Sequence, residues 1–431
     1  MSAADRDGLL AASAQLLFEN GQTTEQTALA VVRLGTALGH HAVLLPRWGE
    51  LIIHFDGPVS GQQEVVAAQP AGVDMHKVVA GTKVIDQLCD GQMDVGAALA
   101  ALRTISRYPS VGVLRFAVMA AAGAAALGVI FGATHWSGLG LIALSAGCGA
   151  VVRRWLAGVT RNLFVQPLCA ALLAGGIGAI AVRLQLSSAL RLIAVCPCMV
   201  LVPGPHLLNG VLDLVRGRLP MGAARIGYAG LIIVVICIGL LAGLAAGGVN
   251  LPATGGSTRV SLGYDVIAAA VAVAAYGTFY AMPWRMLPIP VLIGALAHAG
   301  RWAVVSIGGG SLVTGALVAG LVVGILVTPI ADRLRLPFAA FGFASVVSLM
   351  PGVYLFRMAG GFAELMALDG NASAELLAST ITDGMTATLI LLAIAFGLII
   401  PRVLIKRFFP TFMHRAGPRP RSHRSGPTSA Q

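Results

Sequence analysis

The residues best placed to do chemistry lie in one short stretch, VPGPHLLNGVLDL, residues 202–214. Pro203 and Pro205 flank Gly204. Each proline removes an amide donor and clashes one turn back, so a helix cannot run through unbroken. In lipid the freed backbone groups need partners from protein, water or ligand. Broken helices of this kind form substrate and ion sites near the bilayer midplane of transporters. The plainer alternative is a kink, or a loop at the membrane edge. Asn209 and Asp213 follow the break at helical spacing, four residues apart. An ionisable group beside such a break is a functional candidate. Asp213 could carry a coupling proton, pair with an arginine, or lie at the cytoplasmic surface beside Arg216 and Arg218. His206 could shuttle protons near neutrality, with a helix-packing hydrogen bond as the blander reading. A second break, Pro351-Gly352 in SLMPG, occupies the matching place further along the chain. Pro203, Gly204, Asn209, Pro351 and Gly352 are therefore candidates for substrate binding, and Asp213 and His206 for proton coupling.

The other polar residues in apolar surroundings read more plainly. His298 could shuttle protons like His206 or make a helix-packing hydrogen bond. Asp265 and Asp383 start apolar runs, where negative charge complements a helix N-terminus, with a role in transport as the alternative. Gln166, Thr328, Ser345 and Ser348 suit either a polar path or hydrogen bonds between helices. Gly243/Gly247 and Gly320/Gly324 have GxxxG spacing and point to close packing. Five of the six cysteines lie in apolar runs; Cys196 and Cys198 bracket Pro197, but no second Cys/His pair completes a zinc site. No metal or cofactor is expected. Near the N-terminus His40, His41, His54, His76, Cys89, Asp90 and Asp94 could be assembled into a hydrolase on paper. No GxSxG, HExxH, Walker A or GxGxxG pattern supports that, and the missing P-loop argues against an ATP-driven pump in this chain.

The elements that must hold these residues are membrane helices. The chain is 57% hydrophobic and only 11% charged over 431 residues, against about 25% charged in a soluble domain. Its mean hydropathy is +0.84. A spanning helix needs about 20 mostly apolar residues. Ten spans follow, at 113–133, 138–154, 162–182, 189–206, 226–246, 264–282, 286–302, 311–330, 338–355 and 382–401. The net charge of +11 sits in short loops between spans and in a basic tail. That distribution is the positive-inside pattern rather than a nucleic-acid surface. Arginines cluster at 103–115, 153–161, 216–225, 333–335 and 402–407, with Arg183 and Arg191 the exception on the other side; the pattern favours both termini in the cytoplasm. No basic segment leads into a cleavable apolar core, so the N-terminus is expected to stay there.

An internal repeat organises the spans. Trp136 and Trp284 are 148 residues apart (284 − 136), as are Pro203-Gly204 and Pro351-Gly352 (351 − 203); Arg154-Trp155 and Arg301-Trp302 are 147 apart (301 − 154). Each half then holds five spans, an odd number, so the second half enters the membrane in the opposite sense. That is an inverted-topology repeat, a common plan of secondary transporters. The expected divisions are a soluble domain at 1–110, membrane repeats at 111–250 and 251–410, and a disordered basic tail at 411–431. The soluble domain reads as α/β. A first helix ends at Asn20-Gly21, Thr23 and Gln26 form a capping box for a second, strands lie at 42–46 and 51–55, and helices at 74–89 and 94–107 are capped by Asp74 and Asp94.

Three stretches give the chain a resemblance to the threonine/serine exporter family: LLFENGQTTEQTALAVVRLGTALG (16–39), MHKVVAGTKVIDQLCDGQMDVGAALAALRTI (75–105) and VPGPHLLNGVLDLVRGRLPMGAARIGYA (202–229). The resemblance extends to about residue 410. It implies efflux of L-threonine and L-serine driven by the proton motive force, with a cytoplasmic N-terminal domain. By motif it carries over Pro203, Gly204, Asn209 and Asp213, with His206 where a less ionisable residue is expected. The expected whole is a polytopic α-helical membrane protein with about ten transmembrane helices as two inverted five-helix repeats, preceded by a small α/β domain. Its partners would be an amino acid, protons and membrane lipid, with a homo-oligomer an open option. A membrane-embedded hydrolase and a membrane scaffold or sensor are the rival classes.

Overall fold

The computed structural model describes residues 3–56, 62–186, 190–251, 260–368 and 373–408. The expected basic tail lies outside them, as does most of the Gly-rich connection between the two halves.

The N-terminal domain folds as α1 (Ala3–Glu19), α2 (Thr24–Ala37), β1 (His41–Arg47), β2 (Gly49–Asp56), β3 (Gln62–Ala68), α3 (Met75–Cys89) and α4 (Val95–Ser106). Gly21, at φ +92°, turns the chain out of α1, a conformation that suits glycine. Thr23, Asp74 and Asp94 cap α2, α3 and α4 by accepting from the amides of Gln26, Lys77 and Ala97. The three strands form one antiparallel sheet in the order β1-β2-β3. Strand β3 was not foreseen: QQEVVAA bunches its apolar residues at one end and lacks the alternation that marks a strand, and its pairing with β2 supplies what its side chains do not.

Among the described residues, the membrane region has eight helices long and apolar enough to cross a bilayer. They are α5 (Val113–Ile130), α6 (Trp136–Val159), α7 (Val165–Arg183), α10 (Leu219–Ala246), α11 (Leu262–Phe279), α12 (Pro288–Trp302, continued by a π turn to Ile307), α13 (Leu312–Arg333) and α16 (Ala374–Phe408). Between them lie two bent pairs. α8 (Leu190–Met199) meets α9 (Gly204–Val215) at 60°, and α14 (Phe338–Val346), extended by a 3-10 turn to Leu349, meets α15 (Gly352–Ala367) at 50°. The fourth and ninth spans were expected to end at 206 and 355, just past their breaks. Apolar helix runs on to Val215 and Ala367, 9 and 12 residues further (215 − 206, 367 − 355), so Pro203 and Pro351 mark the middle of a broken element. Outward-facing Ile238 and Ile267 are exposed; in lipid such side chains are solvated rather than stranded.

The packing plan recurs in both halves. α7 packs on α10 as α13 packs on α16, and α8 fits between α6 and α7 as α14 fits between α12 and α13. Glycine makes the tightest contacts possible. A Cβ on Gly397 would stand 2.7 Å from the Gly320 Cα, and one on Gly324 would stand 2.6 Å from the Gly397 carbonyl. Burial also fixes the register between halves. In α6 the buried set Ile142, Ser145, Ala146, Gly149 and Ala150 matches Pro290, Ile293, Gly294, Ala297 and His298 of α12, each 148 residues on. Arg153 is thus the counterpart of Arg301, correcting the Arg154–Arg301 match read from the Arg-Trp dipeptides. Helices α5 and α11 register at 149 (262 − 113), which makes Phe116 the counterpart of Asp265. These two helices run antiparallel: the start of α5 meets the end of α11, with Phe116 and Phe279 rings 5.0 Å apart, and a Cβ on Gly123 would lie 2.8 Å from that of Ala275.

Candidate functional site

The two Pro-Gly breaks touch. A Cβ on Gly204 would lie 3.7 Å from Val347 and 3.6 Å from Met350, just before the second break. One on Gly352 would lie 3.0 Å from Met199, just before the first. Met199 and Val347 are repeat counterparts (347 − 199 = 148), so each glycine receives the same position of the other half. At Gly352 a side chain would crowd Met199, whereas at Gly204 it would make ordinary contact. The structure thus brings the Pro203-Gly204 and Pro351-Gly352 steps side by side.

A cavity of about 310 Å³ opens beside the first break, at the lower end of the roughly 300–1,000 Å³ usual for small-molecule sites. Pro203, His206, Arg153, Gln166, Tyr276 and Tyr280 line it, and Ala71, Gly72 and Val73 of the N-terminal domain close one side. Gln166 thus joins the site as a polar wall. Asn209 does not: it is buried, and its Oδ1 has no hydrogen-bond partner among the described residues. Pro351 and Gly352 line neither this cavity nor the smaller one beside it.

Asp213 is buried, and its neighbours explain how. Thr24 Oγ1 donates to its Oδ2 at 2.8 Å. Arg225 Nε stands 3.4 Å from Oδ2 and Arg218 Nη1 3.6 Å from Oδ1. Arg225 also donates to Thr24 Oγ1 at 3.3 Å and lies over the Phe18 ring. A buried ion pair survives its desolvation only with such extra hydrogen bonds. The arginine pairing that the sequence allowed is present, with Arg218 beside it as the surface reading had it. His206 hydrogen-bonds the Ala71 backbone and meets the Tyr228 ring edge-on at 5.2 Å. Both residues thus fasten the N-terminal domain to the membrane region. Further fasteners are Glu25, 2.7 Å from Arg216 and 3.9 Å from Arg402, the Asp90–Arg335 pair, and the Met75 amide on the Tyr280 carbonyl at 2.7 Å.

The second half holds a polar cluster that sequence spacing does not reveal. His298 is fully buried. Its Nδ1 is 3.1 Å from Asp265 Oδ2 and its Nε2 2.9 Å from Ser348 Oγ. Arg301 Nη2 donates to Asp265 Oδ1 at 3.2 Å. Asp265 lies in the first turn of α11, where its charge complements the helix end as expected, and it also binds two side chains of α12. His298 does make a packing hydrogen bond, but as the centre of a chain of three. The three residues sit 33 and 50 positions apart, so only the packing of α11, α12 and the second break unites them. The order Asp–His–Ser is that of a hydrolase triad. Ser348, however, is buried and lines neither cavity beside the breaks, so no carbonyl reaches it there. Among the described residues no group of three or more His, Cys, Asp or Glu could hold a metal ion.

The comparisons fit this architecture. The family model described as "Putative threonine/serine exporter" matches residues 9–247, and a second one, "Threonine/Serine exporter, ThrE", matches residues 265–404. No curated protein and no solved structure matches the chain. The first match spans the soluble domain, the first break and the Asp213 clamp, and the second spans the Asp265–His298–Ser348 cluster and the second break: the chain belongs to the threonine/serine exporter family.

Proposed function

We propose that this protein is a secondary transporter that exports small amino acids, L-threonine and L-serine, across the cytoplasmic membrane in exchange for protons. The observation that carries the reading is the pair of broken helices meeting break to break beside a cavity of amino-acid size. Broken helices give a site free backbone groups and half-helix ends for a zwitterion's two charges. An inverted repeat is supported by the antiparallel α5 and α11. With the N-terminal domain in the cytoplasm, as the arginine distribution favours, the cavity under residues 71–73 faces the cytoplasm. Asp265, one turn into α11, then lies toward the opposite face. A substrate site on one side and a titratable cluster on the other suits an exchanger. Asp213 and His206 are occupied in holding the soluble domain, so the seat we assign to the coupling proton is His298 with Asp265. Asp265, Arg301 and Ser348 are the groups that face the imidazole.

The test is amino-acid export from cells with and without the protein, after loading with a threonine- or serine-containing dipeptide. Faster appearance of the free amino acid outside, abolished by a protonophore, is expected. Equal rates with the protein confirmed in the membrane would refute the substrate assignment.

A further inference from the structure

The two halves carry the same arginine with different company. In the second half Arg301 holds the carboxylate of Asp265 at 3.2 Å, backed by His298 and Ser348. The repeat register places Phe116, Ala150, Arg153 and Val200 at the counterpart positions of Asp265, His298, Arg301 and Ser348. All four line one small cavity, and Arg153, Phe116 and Val200 also line the larger cavity beside the first break. The locus that is filled with an internal acid in one half is therefore open to a cavity in the other.

Arg153 is the only arginine on that cavity's wall among the described residues. Its Nε is buried without a hydrogen-bond partner among them, and beside it stand the Phe116 ring at 5.8 Å and the like charge of Arg154. Arg154 itself is engaged by Ser110 at 2.8 Å and by Phe116 at 4.4 Å. A half-buried guanidinium facing a cavity calls for an anion, and its fork of donors matches a carboxylate best. We propose that Arg153 is the anchor for the carboxylate of the transported substrate, which there takes the place that Asp265 takes on Arg301. The amide of Gln166 lies on the same wall to share the carboxylate. Tyr276, Phe279 and Tyr280 offer aromatic faces to an ammonium group. The site selects a small molecule with a free carboxylate and, beside it, a cation.

This inference rests on the amino-acid exporter reading, and the experiment separates the two. Binding of L-threonine and of threoninol, which has no carboxylate, is measured on the purified full-length protein, its Arg153→Gln and Arg153→Lys variants, and Phe116→Asp. The native protein is expected to bind threonine and to reject threoninol. Arg153→Gln should weaken threonine about 10- to 100-fold, the scale of a charged hydrogen bond, and lose the discrimination, while Arg153→Lys recovers part of both. Phe116→Asp, which sets an acid beside Arg153 as in the second half, should block threonine binding in a protein that elutes and melts normally. Native-like affinity and discrimination in Arg153→Gln would overturn the anchor while leaving the exporter reading intact. If the native protein binds neither threonine nor serine, the substrate reading fails first. The anchor then stands or falls on whether the best-bound member of a panel of small carboxylates is lost in Arg153→Gln.

Discussion

Thr24 donates a 2.8 Å hydrogen bond to Asp213 across 189 residues of chain. The first turn of a soluble helix is thereby bonded to the far half of a broken membrane helix, with Arg225 touching both partners. Removing the acid leaves Arg225 buried without its carboxylate, a loss of about 3–5 kcal/mol. Losing the threonine hydroxyl leaves the ion pair standing and costs nearer 1 kcal/mol. Asp213→Ala should therefore melt well below the native protein and expose the 107–112 connection to protease, whereas Thr24→Val should shift melting only slightly. Thermal unfolding and limited proteolysis in detergent check both. Equal effects would mean that Asp213 is not held as an ion pair.

The Asp265–His298–Ser348 cluster should govern coupling and not substrate binding. In proteoliposomes His298→Gln and Asp265→Asn are expected to retain threonine exchange and to lose acceleration by a proton gradient. Ser348→Ala, which removes one hydrogen bond, should slow proton-driven flux by about tenfold or less. Gradient-driven transport at the native rate in His298→Gln would move the proton seat elsewhere.

Glycines at the helix contacts tolerate no Cβ. A side chain on Gly397 would meet the Gly320 backbone at 2.7 Å, so α13 and α16 would have to part. Gly397→Val should lower stability by about 1–3 kcal/mol or more, the usual range for overpacking. Gly140→Val, where nothing stands within 4 Å, is the matched control. Folded yield and melting temperature in detergent compare the two.

Cys89 ends α3 outside the membrane helices, and burial raises its thiol pKa. The nearby Arg33 opposes this, while Asp86 and Asp90 add to it. A raised value means less thiolate at any given pH. Alkylation at Cys89 should run slower than on free cysteine at pH 8, and should still climb with pH above the usual value of about 8.5. Rates followed by mass spectrometry over pH 7–10 give the titration. A half-point at or below that of free cysteine would contradict the burial.

Much of this was legible in the sequence, for identifiable reasons. Charge-free runs revealed the spans because lipid tolerates little else, and Pro203-Gly204 and Pro351-Gly352 revealed the breaks because proline is unambiguous about hydrogen bonding. Thr23, Asp74 and Asp94 revealed helix starts because capping is local. What stayed hidden was built by tertiary contact. Nothing in the spacing of Asp265, His298 and Ser348 predicts a shared hydrogen-bond chain, since three separate elements supply them. Thr24 lies inside the capping box framed by Thr23 and Gln26, and no local rule ties it to Asp213. The Arg153–Arg301 relation was masked by an Arg-Trp dipeptide one residue out of register; the spacing of buried residues, visible only after folding, realigned it.

Glu25 reaches across to both halves of the membrane region, 2.7 Å from Arg216 in the first and 3.9 Å from Arg402 in the second. A single carboxylate cannot follow two arginines that move apart. A rocking of one half against the other would have to change these spacings, as the jaws of a caliper set by Arg216 and Arg402. Here the carboxylate is tight on Arg216 and loose on Arg402.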